Sequence, residues 1–253
     1  MKRAKQFLFL LFFPFFLYAG SNSIYQEAMI HELHQVSALS VITKDYVMIS
    51  MRNTFNNPEQ DLQNEIAKFN KAQEKLLALP LDKASHSIIT EHQKQWESIV
   101  TFLKKPINKE RFPKLRKLIY PLRSSLREQI SGTRKKLHNT QTDLIYYAGK
   151  LTAISQEFAG IYLLLKWGTN SNMDKLKVDI LIQSSMYVDT LSRIKKITSD
   201  PAIQKILKKL ERYFQYLSYI NKSTKTFTPV LFYRKANIMS KYSNKIMEMA
   251  QKQ

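Results

Sequence analysis

Three groups of side chains in this 253-residue chain have types and spacings suited to chemistry. His31 and His34 stand three residues apart with Glu27 one turn earlier, a pattern that can line metal ligands along one helix face. A helical histidine pair without further ligands is ordinarily solvated, so no metal and no other cofactor is expected. Lys150, Ser155 and Gln156 gather a cation and two hydrogen-bonding side chains within two helical turns, enough to contact a small polar solute. Gly149 and Gly160 in the same stretch offer the alternative of close helix packing with an ordinary polar flank. The third group is basic: between Lys104 and Lys136, Lys104, Lys105, Lys109, Arg111, Lys114, Arg116, Lys117, Arg123, Arg127, Arg134, Lys135 and Lys136 meet only Glu110 and Glu128. Such a face suits an anionic membrane surface or an acidic protein, or is a solvated lysine-rich surface. It carries no recognisable DNA-reading motif, which argues against nucleic acid. His92 falls on an apolar stripe and reads as a core histidine. No cysteine nucleophile, Gly-x-Ser-x-Gly, phosphate loop or His-Glu-x-x-His occurs, so an enzyme is not expected.

The elements that must position these groups are helices. Only 5 Gly and 8 Pro leave few tight turns, and 44% hydrophobic residues suffice for one or two packed cores. Lys2, Arg3 and Lys5 precede an apolar run from Phe7 to Tyr18 and the small residues Ala19, Gly20 and Ser21. This is the pattern of a secretory signal peptide over 1–21, with a cleavage site at Leu17-Tyr18-Ala19 or at Ala19-Gly20-Ser21; an uncleaved anchor is the alternative. The run would be about 18 Å long as a helix, short of a hydrocarbon core of about 30 Å. The expected location is therefore periplasmic or secreted. Without Lys2, Arg3 and Lys5 the chain still holds 37 basic against 20 acidic residues, so the charge belongs to the mature protein.

Helical spacing of Met29, Leu33, Val36, Ser40, Val47 and Met51 predicts an apolar stripe on a first helix from about 22 to 55. Asn57 then reads as a cap, Pro58 as a first helical residue and Gln60 as the capping-box partner. A second helix carries Leu62, Ile66, Phe69, Ala72 and Leu76 and ends before Pro80; a third carries Ile89, His92, Trp96, Ile99 and Leu103; a fourth carries Phe112, Leu115, Ile119, Leu122, Leu126 and Ile130. Pro121 predicts a bend in the fourth. A shift of 114 residues lays Leu62 on Leu176, Ile66 on Ile180 and Leu103 on Leu217, and a shift of 116 lays Pro113 on Pro229 and Ile130 on Ile246. Asp200 and Pro201 supply the matching cap and first turn, and Gly168 to Asn172 a matching break. Trp96, Tyr213, Phe214, Tyr216 and Tyr219 read as core and seam residues of the third helices. The expected fold is all-α, two tandem antiparallel four-helix bundles over 22–138 and 139–253, with 138–142 the only interruption between the fourth and fifth helices.

The fifth helix opens with Ala148-Gly149-Lys150, Ile154-Ser155-Gln156, Ala159, Tyr162, Leu163 and Trp167-Gly168. This resembles the first helix of the PilJ/NarX-type sensor domain, the N-terminal domain of type IV pili methyl-accepting chemotaxis transducers and nitrate-sensor kinases. There a box of Ala-Gly, a basic residue, Arg-Met and then Ser-Gln occupies the first helix of a periplasmic four-helix bundle. The first unit keeps only Ser40 of that box. In ligand-binding members the box arginine grips a small anion at a dimer interface; here that position is Thr152 and a second basic position is Glu157. The resemblance implies Lys150, Ser155 and Gln156 as the remaining ligand contacts, no tight nitrate binding, and a neutral or weakly charged solute if any. It implies an exported sensory or ligand-binding accessory without an output domain, docking on a membrane receptor or envelope protein. The alternative is a structural or interaction scaffold of the cell envelope whose basic face meets anionic partners.

Overall fold

In the computed structural model, local sequence signals account for most helix ends. The structure describes residues 2–168, 173–223 and 227–252, without the side chains of residues 2–21, 166 and 223. Eight helices follow one another: α1 (Lys2–Ser50), α2 (Pro58–Ala78), α3 (Lys83–Leu103), α4 (Phe112–Leu137), α5 (Thr140–Trp167), α6 (Met173–Ile197), α7 (Pro201–Ser223) and α8 (Pro229–Ala250). No strand occurs among the described residues, and the fold is all-α. Asn57 caps α2 by accepting from the Gln60 amide at 3.3 Å, and Asp200 caps α7 by accepting from the amides of Ala202 and Ile203 at 2.7 and 3.2 Å. The reciprocal capping-box bond does not form; the Gln60 side chain donates to Asn64 instead. Helix α1 ends at Ser50, not Phe55, because Arg52, Asn56 and Asn57 all take positive φ. α4 does not run into α5: His138 turns left-handed at φ 45° and Asn139 caps α5 from its side chain, 2.8 Å from the Thr142 amide. Pro121 sits on the exposed side of an unbroken α4, where water can meet the carbonyl that loses its donor. The side chains on which the leader expectation rests, and residues 169–172 of the expected break, lie outside the described residues. Among the described residues no helix is long and apolar enough to cross a membrane.

The first four helices close a ring in which α1 touches α2 and α4 while α3 packs between those two; α5 to α8 repeat the ring with α5 in the place of α1. The two rings are joined through α1 and α5. Both of these helices are buried on every side along their middle: Met29, Leu33, Val36, Leu39, Ile42 and Val47 belong to one continuous core with Ile145, Leu151, Ile154, Phe158, Tyr162 and Leu163. The single stripe expected on α1 is corrected accordingly. A helix that must face its own bundle and a second one has no solvated face to contrast with, so a periodicity search sees only part of its burial.

α1 and α5 run parallel and in register. The Thr142 hydroxyl donates to Gln26, 116 residues earlier, the Ser40 hydroxyl donates to Glu157, 117 residues later, and a Cβ on Gly149 would meet Leu33 at 2.8 to 3.1 Å. That spacing is the repeat period itself, so equivalent positions of the two units lie beside each other. Gly149 is required by this approach: any side chain there drives into Leu33.

Of the aromatic residues expected in the third helices, Trp96 stacks on Phe69 with centroids 3.8 Å apart and Phe214 stacks on Tyr187 at 4.2 Å. Tyr216 and Tyr219 are instead exposed.

Candidate functional site

Because α1 and α5 lie side by side at the centre, the outer helices leave a cleft where α2 of one bundle faces α8 of the other. A groove of about 700 Å³ runs here, floored by His31, His34, Ser37 and Val41 of α1 and Gln156 of α5. One wall is the α2 face carrying Asp61, Glu65, Lys68, Lys71 and Lys75; the other is the α8 face carrying Asn237, Ser240, Lys241, Asn244 and Glu248. One-turn spacing on each helix aligns these side chains toward the same space.

The upper end of the groove is acidic and tied down. Tyr233 donates to Asp61 at 2.7 Å, bridging α8 to α2. Beneath it Lys44 is fully buried, donates to Asn237, lies 3.8 Å from the centre of the Tyr233 ring, and stands 3.7 Å from Asp45, which is equally buried. Burial lowers the Lys44 ammonium and raises the Asp45 carboxyl to about 7, pushing both partners toward their neutral forms. The lower end is cationic. Burial, then Lys75, depress His31; the concave walls around the solvent-open His34, then His31, Lys75 and Lys68, depress its imidazole too. His31 lies 3.6 Å from Glu27. Among the described residues no cluster of three or more histidines and acidic side chains is placed to hold a metal.

The three residues singled out on α5 do not share one cavity. Gln156, 2% exposed, enters the groove floor, donating to the Ala236 carbonyl at 3.3 Å and to Asn237 at 3.2 Å while its own carbonyl oxygen finds no donor. Ser155 turns into the second bundle beside Tyr187 and donates to the Leu151 carbonyl at 2.7 Å. Lys150 is half-buried on the opposite face among Asp189, Arg127, Arg193 and Arg134; burial first, then the three arginines, lower its ammonium. A helix turns about 100° per residue, so positions 150, 155 and 156 must diverge.

The two positions where the resemblance implies lost basic residues have specific partners. The Thr152 hydroxyl lies 3.2 Å from the Ala148 carbonyl and 3.0 Å from Asn244 of the groove wall. Glu157 is buried where α1, α4 and α5 meet: Arg127 donates to it in a close contact, Arg123 at 3.4 Å and Ser40 at 3.1 Å. Burial pushes this carboxyl up, but Arg127 and Arg123 outweigh it, and the net effect holds it below the ordinary range. Part of the basic stretch thus turns inward. Arg123 and Arg127 clasp Glu157, and Arg134 pairs with Asp143 at 2.7 Å; Lys104, Lys105, Lys114, Lys117, Lys135 and Lys136 remain exposed. His92 is buried and its Nε2 lies 2.8 Å from the Ser125 hydroxyl.

The lysines of the α2–α8 groove are the functional candidates that the sequence did not flag. Their spacing at 68, 71 and 75 was visible, but it is the ordinary spacing of a solvated face, and Lys241 is 166 positions or more away in sequence. No protein family, curated protein or solved structure matches the chain.

Proposed function

We propose that the chain is an exported, non-enzymatic sensory or ligand-binding accessory of the kind that PilJ/NarX-type modules represent, with its solute in the groove between α2 and α8. The observation that carries this reading is the groove itself. It crosses the seam between two bundles paired through their first helices, and a buried glutamine whose carbonyl oxygen has no hydrogen-bond partner contributes to its floor. A pocket at such a seam is a natural place for ligand binding to alter how two rigid units meet. The parallel α1–α5 pair supports the resemblance, because one chain then holds the two-unit arrangement that the family forms at a dimer interface.

The test is a thermal-shift screen of small polar solutes against the mature protein. A ligand at a hundredfold excess over its Kd stabilises the folded state by about 2.7 kcal/mol, which is about 5–10 °C in Tm for a chain of this size. The shift should disappear in Gln156→Ala. A panel in which nothing raises Tm, or a ligand indifferent to Gln156, speaks against the reading. The exposed lysines of α4 favour the scaffold alternative; co-sedimentation with anionic vesicles in the absence of any solute effect would support it.

A further inference from the structure

The solute-binding reading leaves the ligand's chemistry open, and the groove's charge layout narrows it. Lys68 is engaged by Glu65 and Asp61 by Tyr233, but Lys71, Lys75 and Lys241 make no ion pair or hydrogen bond among the described residues. The helix register brings two of these level. The Gln35 side chain donates to Gln73 at 2.7 Å, which sets Lys71 of α2 beside Ser37 of α1. The Gln156 side chain donates to Asn237, and Lys241 follows Asn237 by one turn on the facing wall. Two lysines therefore flank the floor from opposite sides, with Gln156 in the floor about one turn further along the groove. We propose that the groove binds a small hydroxylated polyanion, an organic molecule carrying at least two carboxylate or phosphate groups, held between Lys71 and Lys241 over Gln156.

Each part of that description answers a feature of the groove. Two point charges on opposite walls are both met by an anion with separated acid groups, whereas nitrate can meet only one at a time. The Gln156 side-chain nitrogen is committed to Ala236 and Asn237, which fixes the amide and leaves its carbonyl oxygen unpaired and shielded from solvent at the groove floor. That oxygen needs a donor from the ligand, and a hydroxyl supplies one. The groove's own acids lie elsewhere: Asp61 and Glu65 at the upper end, Glu248 at the lower.

The two histidines make binding proton-linked. The charged groups around them are Glu27 on α1, Lys68, Lys71 and Lys75 on α2, and Lys241 and Glu248 on α8, while α5 contributes only the neutral Gln156 to the groove. Burial, reinforced by the neighbouring lysines, lowers both imidazoles; a polyanion seated between the lysines offsets the lysines' repulsion and favours the imidazolium. Binding then takes up protons, and affinity rises as pH falls.

Isothermal titration of the mature chain with tartrate, succinate, fructose 1,6-bisphosphate and nitrate tests the proposal. Tartrate and succinate are both four-carbon dicarboxylates and differ in the hydroxyls; tartrate and fructose 1,6-bisphosphate, each hydroxylated and each with two separated acid groups, compare carboxylate with phosphate at about pH 7.5. Tartrate or fructose 1,6-bisphosphate should bind at least about tenfold more tightly than nitrate, and tartrate more tightly than succinate. Lys71→Gln with Lys241→Gln should weaken binding about tenfold or more at unchanged Tm, whereas the exposed pair Lys114→Gln with Lys117→Gln on α4 should leave it unchanged. Tartrate affinity should rise severalfold from about pH 7.5 to 6.0, with proton uptake that depends on His31 and His34. Equal affinity for nitrate, equal loss in the α4 pair, or no polyanion binding overturns the proposal. A neutral solute that stabilises the chain through Gln156 would remove this inference and leave the solute-binding reading standing; no stabilising solute of any class removes both.

Discussion

Replacing Glu157 by glutamine keeps the shape of the side chain and removes its charge from between Arg123 and Arg127. Removing one partner of a buried ion pair ordinarily costs about 3–5 kcal/mol, because the other charge is stranded. Here the stranded charges have an escape: the Arg127 side chain is 41% exposed and that of Arg123 22%, so both can turn toward water. Water reduces the penalty, and about 2–3 kcal/mol is expected, a fall of about 5–10 °C in Tm. Urea unfolding followed by helical circular dichroism measures the loss. The double variant Glu157→Gln with Arg127→Gln should cost less than the sum of its parts by about 1 kcal/mol or more. The pH dependence carries an independent sign. The folded carboxyl is held below its unfolded value, so its contribution is fully present above about pH 4.3 and is lost as pH falls through the folded value. Wild type should therefore lose stability below about pH 4 more steeply than Glu157→Gln. A variant within about 0.5 kcal/mol of wild type, a cycle without coupling, or parallel acid limbs would refute the account of Glu157 as a clasped internal anion.

Other outcomes follow from single features. Glu32 is buried without a partner for one carboxylate oxygen, and burial pushes its carboxyl up to about 8. Since the unfolded chain ionises it above about pH 4.3, stability should fall as pH rises from there toward 8, and Glu32→Gln should flatten that slope and melt higher than wild type at pH 8. A methyl group on Gly132 of α4 would meet nothing within 4 Å, so Gly132→Ala should stabilise by about 0.5–1 kcal/mol. Gly149→Val should instead destabilise by about 2 kcal/mol or more through Leu33, measured in the same urea titration. Tyr233→Phe removes the bridge to Asp61 while keeping the ring over Lys44, and should cost about 1–1.5 kcal/mol.

How much of this was legible in the sequence depends on how local the cause is. Prolines 58, 201 and 229 and the caps Asn57 and Asp200 act within one turn, and the helix starts fall where they indicate. The register of the repeat was legible because two bundles with the same helix order need the same apolar positions. The centrality of α1 and α5 was not, since total burial erases the polar face that defines a stripe. The candidate site was legible only at Gln156. Its neighbours Lys71 and Lys241 come from opposite bundles, and nothing in either helix alone distinguishes them from solvated lysines. Glu157 looked like a missing basic residue because its compensation lies 30 and 34 positions upstream, in Arg127 and Arg123.

The in-register pairing of α1 with α5 has a consequence for symmetry. Two identical subunits meeting along such helices would have to carry every substitution twice and would dissociate on dilution. A covalent pair does neither, so the α1–α5 contact is intramolecular at any protein concentration, and each half can specialise. At the offset of 116, His34, Ser37 and Val41 of the open groove correspond to Lys150, Ala153 and Glu157 on the far side of the same helix pair. On that side the cleft has supplied its own anion: a carboxylate fixed to the backbone sits against arginines from α4. Of the two clefts beside the central helix pair, one is therefore closed by the chain's own carboxylate and its arginines, and the other stays open to solvent.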